Sequence, residues 1–202
     1  MNTKPNLYDY ILSMFVAQDD YRPEMMKPFI SDKHYCATNG HILCAVKKKN
    51  TGLKYSKDKN APNAFKLIED FVYDREVVVN RDEIISEYFN SEHQWRTEKL
   101  PCEKCKGDGY ESCKCCGNES KCKECEGTGS SDEDVPFSKI TLEGEDIKFL
   151  DRKLTPSLFH RIIMTAFILE SKEFHVKYLE CNPTNAIYFK IKECEMLLMP
   201  RI

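Results

Sequence analysis

The chain has 202 residues, 33 acidic against 30 basic side chains and a net charge of −3, with 41% hydrophobic and 31% charged residues. Only 8 Gly and 9 Pro are present, which excludes collagen-like and low-complexity disordered chains and leaves one or two globular domains. No apolar run approaches the roughly 20 residues of a membrane-spanning helix. The strongest run, Tyr10 to Ala17, is followed by polar Gln18-Asp19-Asp20 where a leader would place a small-residue cleavage site, so a cytoplasmic protein without a membrane partner is expected.

Taken in chain order, Leu7, Tyr8, Ile11, Met14 and Phe15 recur at three and four residues and predict one amphipathic helix over about 6–18. Lys27 to Ser31, His34 to Thr38 and His41 to Lys48 read as strands, the last two joined by Asn39-Gly40, a pair suited to the positive-φ positions of a tight hairpin. Residues 49–63, rich in Lys and Asn with Gly52 and Pro62, read as a loop, and Arg75 to Val79 as a further strand. Asn80 can cap a short helix over 81–89 whose first turn carries Asp82 and Glu83.

Residues 92–135 interrupt this pattern between polar Ser91-Glu92-His93-Gln94 and acidic Ser130-Ser131-Asp132-Glu133-Asp134. Beyond them, strands near 137–142 and 145–150 flank Gly144. Thr155-Pro156 then opens a helix to about 168, with Leu158, Ile162, Ile163 and Ala166 on its buried face. Phe174 to Glu180, Ala186 to Lys192 and Glu195 to Met199 read as three antiparallel strands. The two flanks thus repeat one plan, a helix followed by three strands. The expected fold class is α+β, with two helices on one side of a strongly curved, mostly antiparallel sheet built from two α-β-β-β units.

Seven of the eleven cysteines lie between Cys102 and Cys125. The scattered Cys36, Cys44, Cys181 and Cys194 sit in strand-like runs and read as buried small hydrophobes. The cluster contains one unit written twice, Cys102-Glu-Lys-Cys105-Lys-Gly-Asp-Gly and Cys122-Lys-Glu-Cys125-Glu-Gly-Thr-Gly, with sixteen residues between the inner cysteines. Two residues between paired thiolates let a tight turn aim both sulfurs at one ion, and two such turns complete a tetrahedron. Cys102, Cys105, Cys122 and Cys125 are therefore the expected ligands of one structural Zn2+. Between the units, Cys113, Cys115 and Cys116 are too few for a second four-thiolate centre, and a thiol redox role lacks a thioredoxin-like context.

The duplicated unit resembles the cysteine-rich domain of DnaJ-type chaperones, over residues 102–129 only, and no His-Pro-Asp tripeptide of a J-domain is present. Two other stretches resemble the bacterial DNA polymerase processivity clamps, the beta sliding clamps. Ala37-Thr38-Asn39-Gly40-His41-Ile42-Leu43-Cys44-Ala45-Val46 is similar to that family's strand-turn-strand pattern, and Leu197-Leu198-Met199-Pro200-Arg201-Ile202 to its closing residues. The chain also resembles small clamp-like proteins of phages and mobile elements that carry a cysteine knuckle. The resemblance implies one discontinuous clamp-like domain, 1–91 and 136–202, with 92–135 as an inserted zinc-binding module. A clamp ring has six such domains, so this chain would need about six copies.

The implied function is a non-catalytic DNA-replication accessory role, with duplex DNA, replication proteins and further copies of the chain as partners. Lys47, Lys48, Lys49, Arg152, Lys153 and Arg161 are the candidate phosphate contacts, and Lys54, Lys57, Lys59 and His160 lie near them in sequence. With a net charge of −3, DNA binding has to rest on local segregation of charge. The competing reading is a zinc-containing protein-interaction adaptor that does not bind DNA, consistent with the alternating Lys and Glu of the cysteine module. No Walker A loop, dinucleotide fingerprint, H-E-x-x-H or G-x-S-x-G elbow is present, so no enzyme is expected.

Overall fold

Asn6 starts the first helix: its Oδ1 accepts from the N–H groups of Tyr8 and Asp9 at 2.9 and 3.3 Å, while the Asp9 carboxylate accepts from the Asn6 N–H at 2.9 Å. This reciprocal cap fixes α1 at Leu7–Met14 in the computed structural model, which describes residues 5–18, 22–55, 60–88, 94–97, 102, 104–106, 108–112, 119–130 and 140–201. Asp9 is only 3% exposed. It also accepts from the N–H groups of Gly52 and Leu53 at 2.7 and 3.2 Å and from the Tyr55 hydroxyl at 2.9 Å, so one carboxylate ties α1 to the loop that follows the first strands.

The chain forms two compact units, residues 1–94 with 142–202, and residues 95–141. In the first, β1 (Phe29–Ser31), β2 (His34–Thr38) and β3 (Ile42–Lys47) form an antiparallel meander. A short helix α2 (Ala64–Glu69), strand β4 (Arg75–Asn80) and helix α3 (Arg81–Tyr88) follow. Strand β5 (Gln94–Thr97) leads into the second unit, which holds the hairpin of β6 (Tyr110–Ser112) and β7 (Glu119–Lys121), and β8 (Ile140–Glu143) leads out and pairs with β5. The first unit resumes with the hairpin of β9 (Ile147–Phe149) and β10 (Arg152–Leu154), helix α4 (Pro156–Ile168) and a second meander, β11 (Glu173–Tyr178), β12 (Ile187–Ile191) and β13 (Cys194–Leu198).

The two meanders join side by side. The seven-stranded sheet has the order β1-β2-β3-β13-β12-β11-β4, antiparallel throughout, with Cys44 of β3 opposite Met196 of β13 and Val77 of β4 opposite Val176 of β11. Helices α1 and α4 contact each other, α1 packing on β2 and β3 and α4 on β12 and β13. Their buried stripes are Ile11, Leu12, Met14 and Phe15, and Phe159, Ile162, Ile163 and Ala166. The two-helix, two-meander arrangement is the expected one.

Several local readings need correction. The opposite face of the sheet is also covered: Ala64, Phe65 and Ile68 of α2 pack with Phe29, Cys36, Leu43, Ala45, Tyr188 and Leu197. Residues 64–69 received no helix from the sequence, because six residues hold too few apolar positions to display a period. At the β2–β3 turn only Gly40 takes a positive φ, of 90°. Asn39 instead accepts from the N–H groups of His41 and Ile42 at 3.0 and 3.1 Å, an Asx turn rather than a two-residue positive-φ hairpin. The strand expected near 145–150 is β9, shorter at Ile147–Phe149, and the chain then reverses at Leu150 and Asp151, with φ of 49° and 59°, into β10, a strand the sequence does not signal. Cys36, Cys44 and Cys194 are buried as expected, but Cys181 is exposed in the turn between β11 and β12. Among the described residues no helix is long and apolar enough to cross a membrane. The readings on 89–93 and 131–139, Lys57, Lys59, Ile202 and Cys113, Cys115 and Cys116 fall outside the described residues.

Two consequences for stability follow from buried polar groups. Replacing Asp9 with Ala leaves the amides of Gly52 and Leu53 and the Tyr55 hydroxyl without their acceptor and should cost about 3 kcal/mol in urea unfolding. His160 on α4 is 4% exposed; burial, with Arg161 beside it, lowers its pKa to about 4 from 6.5. The unfolded chain therefore binds the proton first as pH falls. Stability from this group is complete above pH 6.5 and declines through the window down to pH 4, by a total on the order of 3 kcal/mol. Unfolding measured across that window should lose the slope in His160→Phe.

Candidate metal centre and the basic residues

The second unit folds its two cysteine units into one another with near two-fold symmetry. Cys102 donates its N–H to the carbonyl of Gly129 at 2.9 Å, and Cys122 donates to the carbonyl of Gly109 at 2.9 Å, so the end of each unit receives the start of the other. Within the units, the N–H of Asp108 reaches the Cys105 carbonyl at 3.1 Å and that of Thr128 the Cys125 carbonyl at 2.8 Å. The reversal that follows puts Lys106 and Glu126 at φ of 54° and 50°, and Gly109 and Gly129 at 77° and 73°. Gly109 has a second constraint: a Cβ there would stand 2.5 Å from the Gly127 carbonyl oxygen.

These turns bring the four sulfurs of Cys102, Cys105, Cys122 and Cys125 within 4.8 Å of one another, all four residues buried. Cys102 and Cys122 Sγ are 3.8 Å apart and Cys105 and Cys125 Sγ 3.7 Å. That is too long for a disulfide at about 2.05 Å. It equals the edge, about 3.8 Å, of a tetrahedron whose centre lies about 2.3 Å from each sulfur, the zinc–thiolate distance. The donor set therefore fits a single tetrahedral, thiophilic ion.

Backbone amides are aimed at two of the four sulfurs. The N–H of Gly109 points at Cys105 Sγ at 3.2 Å and that of Gly129 at Cys125 Sγ at 3.3 Å, the equivalent bond in each unit. Burial pushes the Cys125 thiol up, but the N–H groups of Gly129 and Gly127 and the neighbouring Cys105 and Cys122 outweigh it and bring the thiol down to about 7. Outside the sulfurs, Lys104 pairs with Glu111 at 3.3 Å, so part of the module's charge is internally matched. These amide donors could be anticipated from the glycines that follow each cysteine pair.

The six basic candidates do not share one environment. Lys47 ends β3 exposed, and Lys49 is exposed in the following turn, Lys48–Asn50. Lys48 is half-buried, its Nζ donating to the Asp32 carbonyl at 2.6 Å and lying 5.8 Å from the Tyr35 ring centre. Lys153 is exposed on β10. Arg152 is withdrawn: it is 2% exposed, and its guanidinium donates to the carbonyls of Leu150 at 2.7 Å and Asn182 at 3.0 Å, and to that of Leu179. Two loops leave carbonyls facing inward there, and Arg152 satisfies them, so its charge does not reach a phosphate. Arg161 is half-buried on α4, where burial lowers its pKa, and His160 beside it is buried. Sequence shows the charge of such residues but not the loop carbonyls that claim it.

The fold of the chain matches that of sliding clamps. The Helicobacter pylori beta clamp, in complex with a DNA ligase peptide, aligns with a TM-score of 0.54 at 10% identity, over 97% of this chain and 62% of that one. The DNA polymerase III beta subunit of Thermotoga maritima aligns at 0.51 with 12% identity over 97% and 63%. The DNA polymerase sliding clamp of Bacillus subtilis aligns at 0.50 with 13% identity over 97% and 62%. This chain therefore spans less than two thirds of the length of these clamps. No protein-family model and no curated protein matches the sequence.

Metal content measured on protein purified without chelator should give about one ion per chain. Cys122→Ser removes one of the four sulfurs, and Gly109→Ala drives a Cβ into the Gly127 carbonyl. Each should lower metal retention against a chromophoric chelator by tenfold or more. Chelation should raise amide exchange across 102–130 while β3 and β13 stay protected.

Proposed function

We propose that this chain is a non-catalytic, cytoplasmic accessory protein of DNA replication that contacts duplex DNA without reading its sequence and docks replication proteins. In this reading residues 1–91 and 136–202 form the clamp-like domain, related to the small knuckle-bearing clamps of phages and mobile elements. Residues 92–135 are an inserted DnaJ-like module that holds one structural zinc ion on Cys102, Cys105, Cys122 and Cys125. The observation that carries the proposal is the seven-stranded sheet of two meanders with two helices on one face, an architecture shared with the clamps. A four-sulfur site leaves zinc no open position, so the ion's chemistry is a cross-link between turns whose core, among the described residues, is the four cysteines themselves.

Phosphate contact falls to the exposed Lys47, Lys49 and Lys153, while Lys48, between the first two, is held by the Asp32 carbonyl. Such contacts attract duplex of any sequence and weaken with salt. The adaptor reading keeps one specific support, the withdrawal of Arg152 and the matched Lys104–Glu111 pair, which reduce the positive surface available to DNA.

Fluorescence anisotropy with a labelled duplex of arbitrary sequence separates the two. The proposal expects binding whose logarithm falls linearly with that of salt. Lys47→Ala with Lys49→Ala should reduce that slope by about one for each phosphate that is no longer neutralised. No binding at low salt, with partner capture retained, overturns the duplex reading in favour of the adaptor.

A further inference from the structure

One histidine of the first unit is buried under conditions that suit only its neutral form. His34 lies on β2, opposite Ser31 of β1 and Lys47 of β3, on the same face as Cys36, the face that α2 covers. Phe65 of α2 closes over it, the two rings stacked at 3.6 Å between centres and 20° between planes, and His34 is left 7% exposed. Among the described residues neither ring nitrogen has a hydrogen-bond partner. A neutral imidazole leaves one donor and one acceptor unmet there. The imidazolium would bury two donors and a charge with no acceptor in reach, a much larger penalty.

The cover itself is lightly held. Helix α2 is six residues long, and Asn63 gives it no side-chain cap. Its polar ties run to β1: the Ser31 hydroxyl donates to Asn63 Oδ1 at 3.2 Å and accepts from the Phe65 N–H at 3.0 Å. Glu69 ends the helix, where the dipole disfavours a carboxylate. A helix this short does not stand alone, so it depends on burying Ala64, Phe65 and Ile68 against the sheet.

We infer that α2 is a proton-released cover: uptake of a proton at His34 lifts α2 from the sheet and bares the apolar face beneath it, while the seven-stranded sheet stays intact. Charged groups reach His34 from each element around it. Burial lowers its pKa from 6.5, against Glu195 on β13, Asp32 in the β1–β2 turn and Glu69 on α2, which favour the proton, while Lys47 on β3 adds to the lowering. The covered state therefore holds the neutral ring, is complete above pH 6.5 and loses ground as the pH falls below that value. Release is local because α2 contributes no strand, whereas β3 and β13 are joined by backbone pairing. The inference does not rest on the duplex reading, since its test contains no DNA.

The readout is thiol alkylation of the full metal-loaded chain, mapped by peptide mass. Cys36 lies beneath α2 and is fully buried, whereas Cys181 is exposed and corrects for the effect of pH on the reagent. The labelling ratio of Cys36 to Cys181 should rise by about threefold or more from about pH 7.5 to about pH 5. Cys44 and Cys194, buried on the other side of the sheet, should stay unlabelled. His34→Phe keeps a ring under Phe65 and should hold the ratio level at every pH, and His34→Gln, which also cannot titrate, should be as flat. The rise should persist in His160→Phe. Phe65→Ala should raise the ratio already at neutral pH. A ratio that stays level in the parent chain, a rise repeated in His34→Phe and His34→Gln, or a rise shared by Cys44 and Cys194 would each overturn the assignment.

Discussion

The first unit depends on one long-range pairing, the seam between β3 and β13. Residues 42–46 and 194–198 meet there in register, although the whole second unit lies between them in sequence. Without the seam the sheet falls into ribbons of three and four strands, and α1 and α4 lose the surface on which they meet. The β4–β11 pairing adds a second closure of the same kind. The penalty for threading an extra unit through such a loop is small, because loop-closure entropy grows only logarithmically, by about 0.6 kcal/mol per doubling of length. An insertion between α3 and β9 is thus compatible with an intact sheet. The seam also brings together the two stretches that resemble a clamp: the N–H of Met199, just past β13, bonds the carbonyl of His41 in the β2–β3 turn at 2.9 Å.

Much of the first unit was legible because its elements each present a strong local signal. The α1 stripe, the Thr155-Pro156 start of α4 and the apolar runs of β2, β3, β12 and β13 carry their own period or punctuation. What escaped was decided by tertiary context. Helix α2 exists because Phe65 and its neighbours have an apolar sheet face to cover, not because six residues favour a helix. Leu150 takes a positive φ that its residue type does not favour and Asp151 follows it with no Gly in the turn, so the β9–β10 reversal left only a weak trace in the residue types. Cys181 reads as a buried small hydrophobe next to the apolar run of β11, but it lies in the turn that continues through Asn182-Pro183 and is exposed.

The basic residues show why charge in a sequence is a poor guide to a binding surface. Arg152 and Lys153 are adjacent, yet alternation along β10 turns one inward and the other outward. The inward side chain is stable there because three backbone carbonyls and the Tyr178 ring, 5.0 Å away, replace its water. Asp9 is the same device with opposite sign, a buried carboxylate collecting backbone amides from a loop. In both, a side chain that reads as surface charge serves as a staple between segments far apart in sequence.

The second unit solves its folding problem by different physics. Its described core consists of Cys102, Cys105, Cys122 and Cys125, and a cluster of that size removes far too little apolar surface from water to offset the ordering of its turns. What the sequence supplies instead is geometry, with paired amides aimed at Cys105 and Cys125, reciprocal bonds between Cys102 and Gly129 and between Cys122 and Gly109, and a glycine at the point where two backbones nearly touch. Four sulfurs gathered at tetrahedral separations repel as thiolates, and an ion converts that repulsion into the attraction that holds the turns together. Among the described residues of the unit, Gly109, Gly127 and Gly129, which read as loop residues, are held at positive φ, and Gly109 also lies against the Gly127 carbonyl. Substitutions among its exposed lysines and glutamates should matter far less than a single methyl group at Gly109.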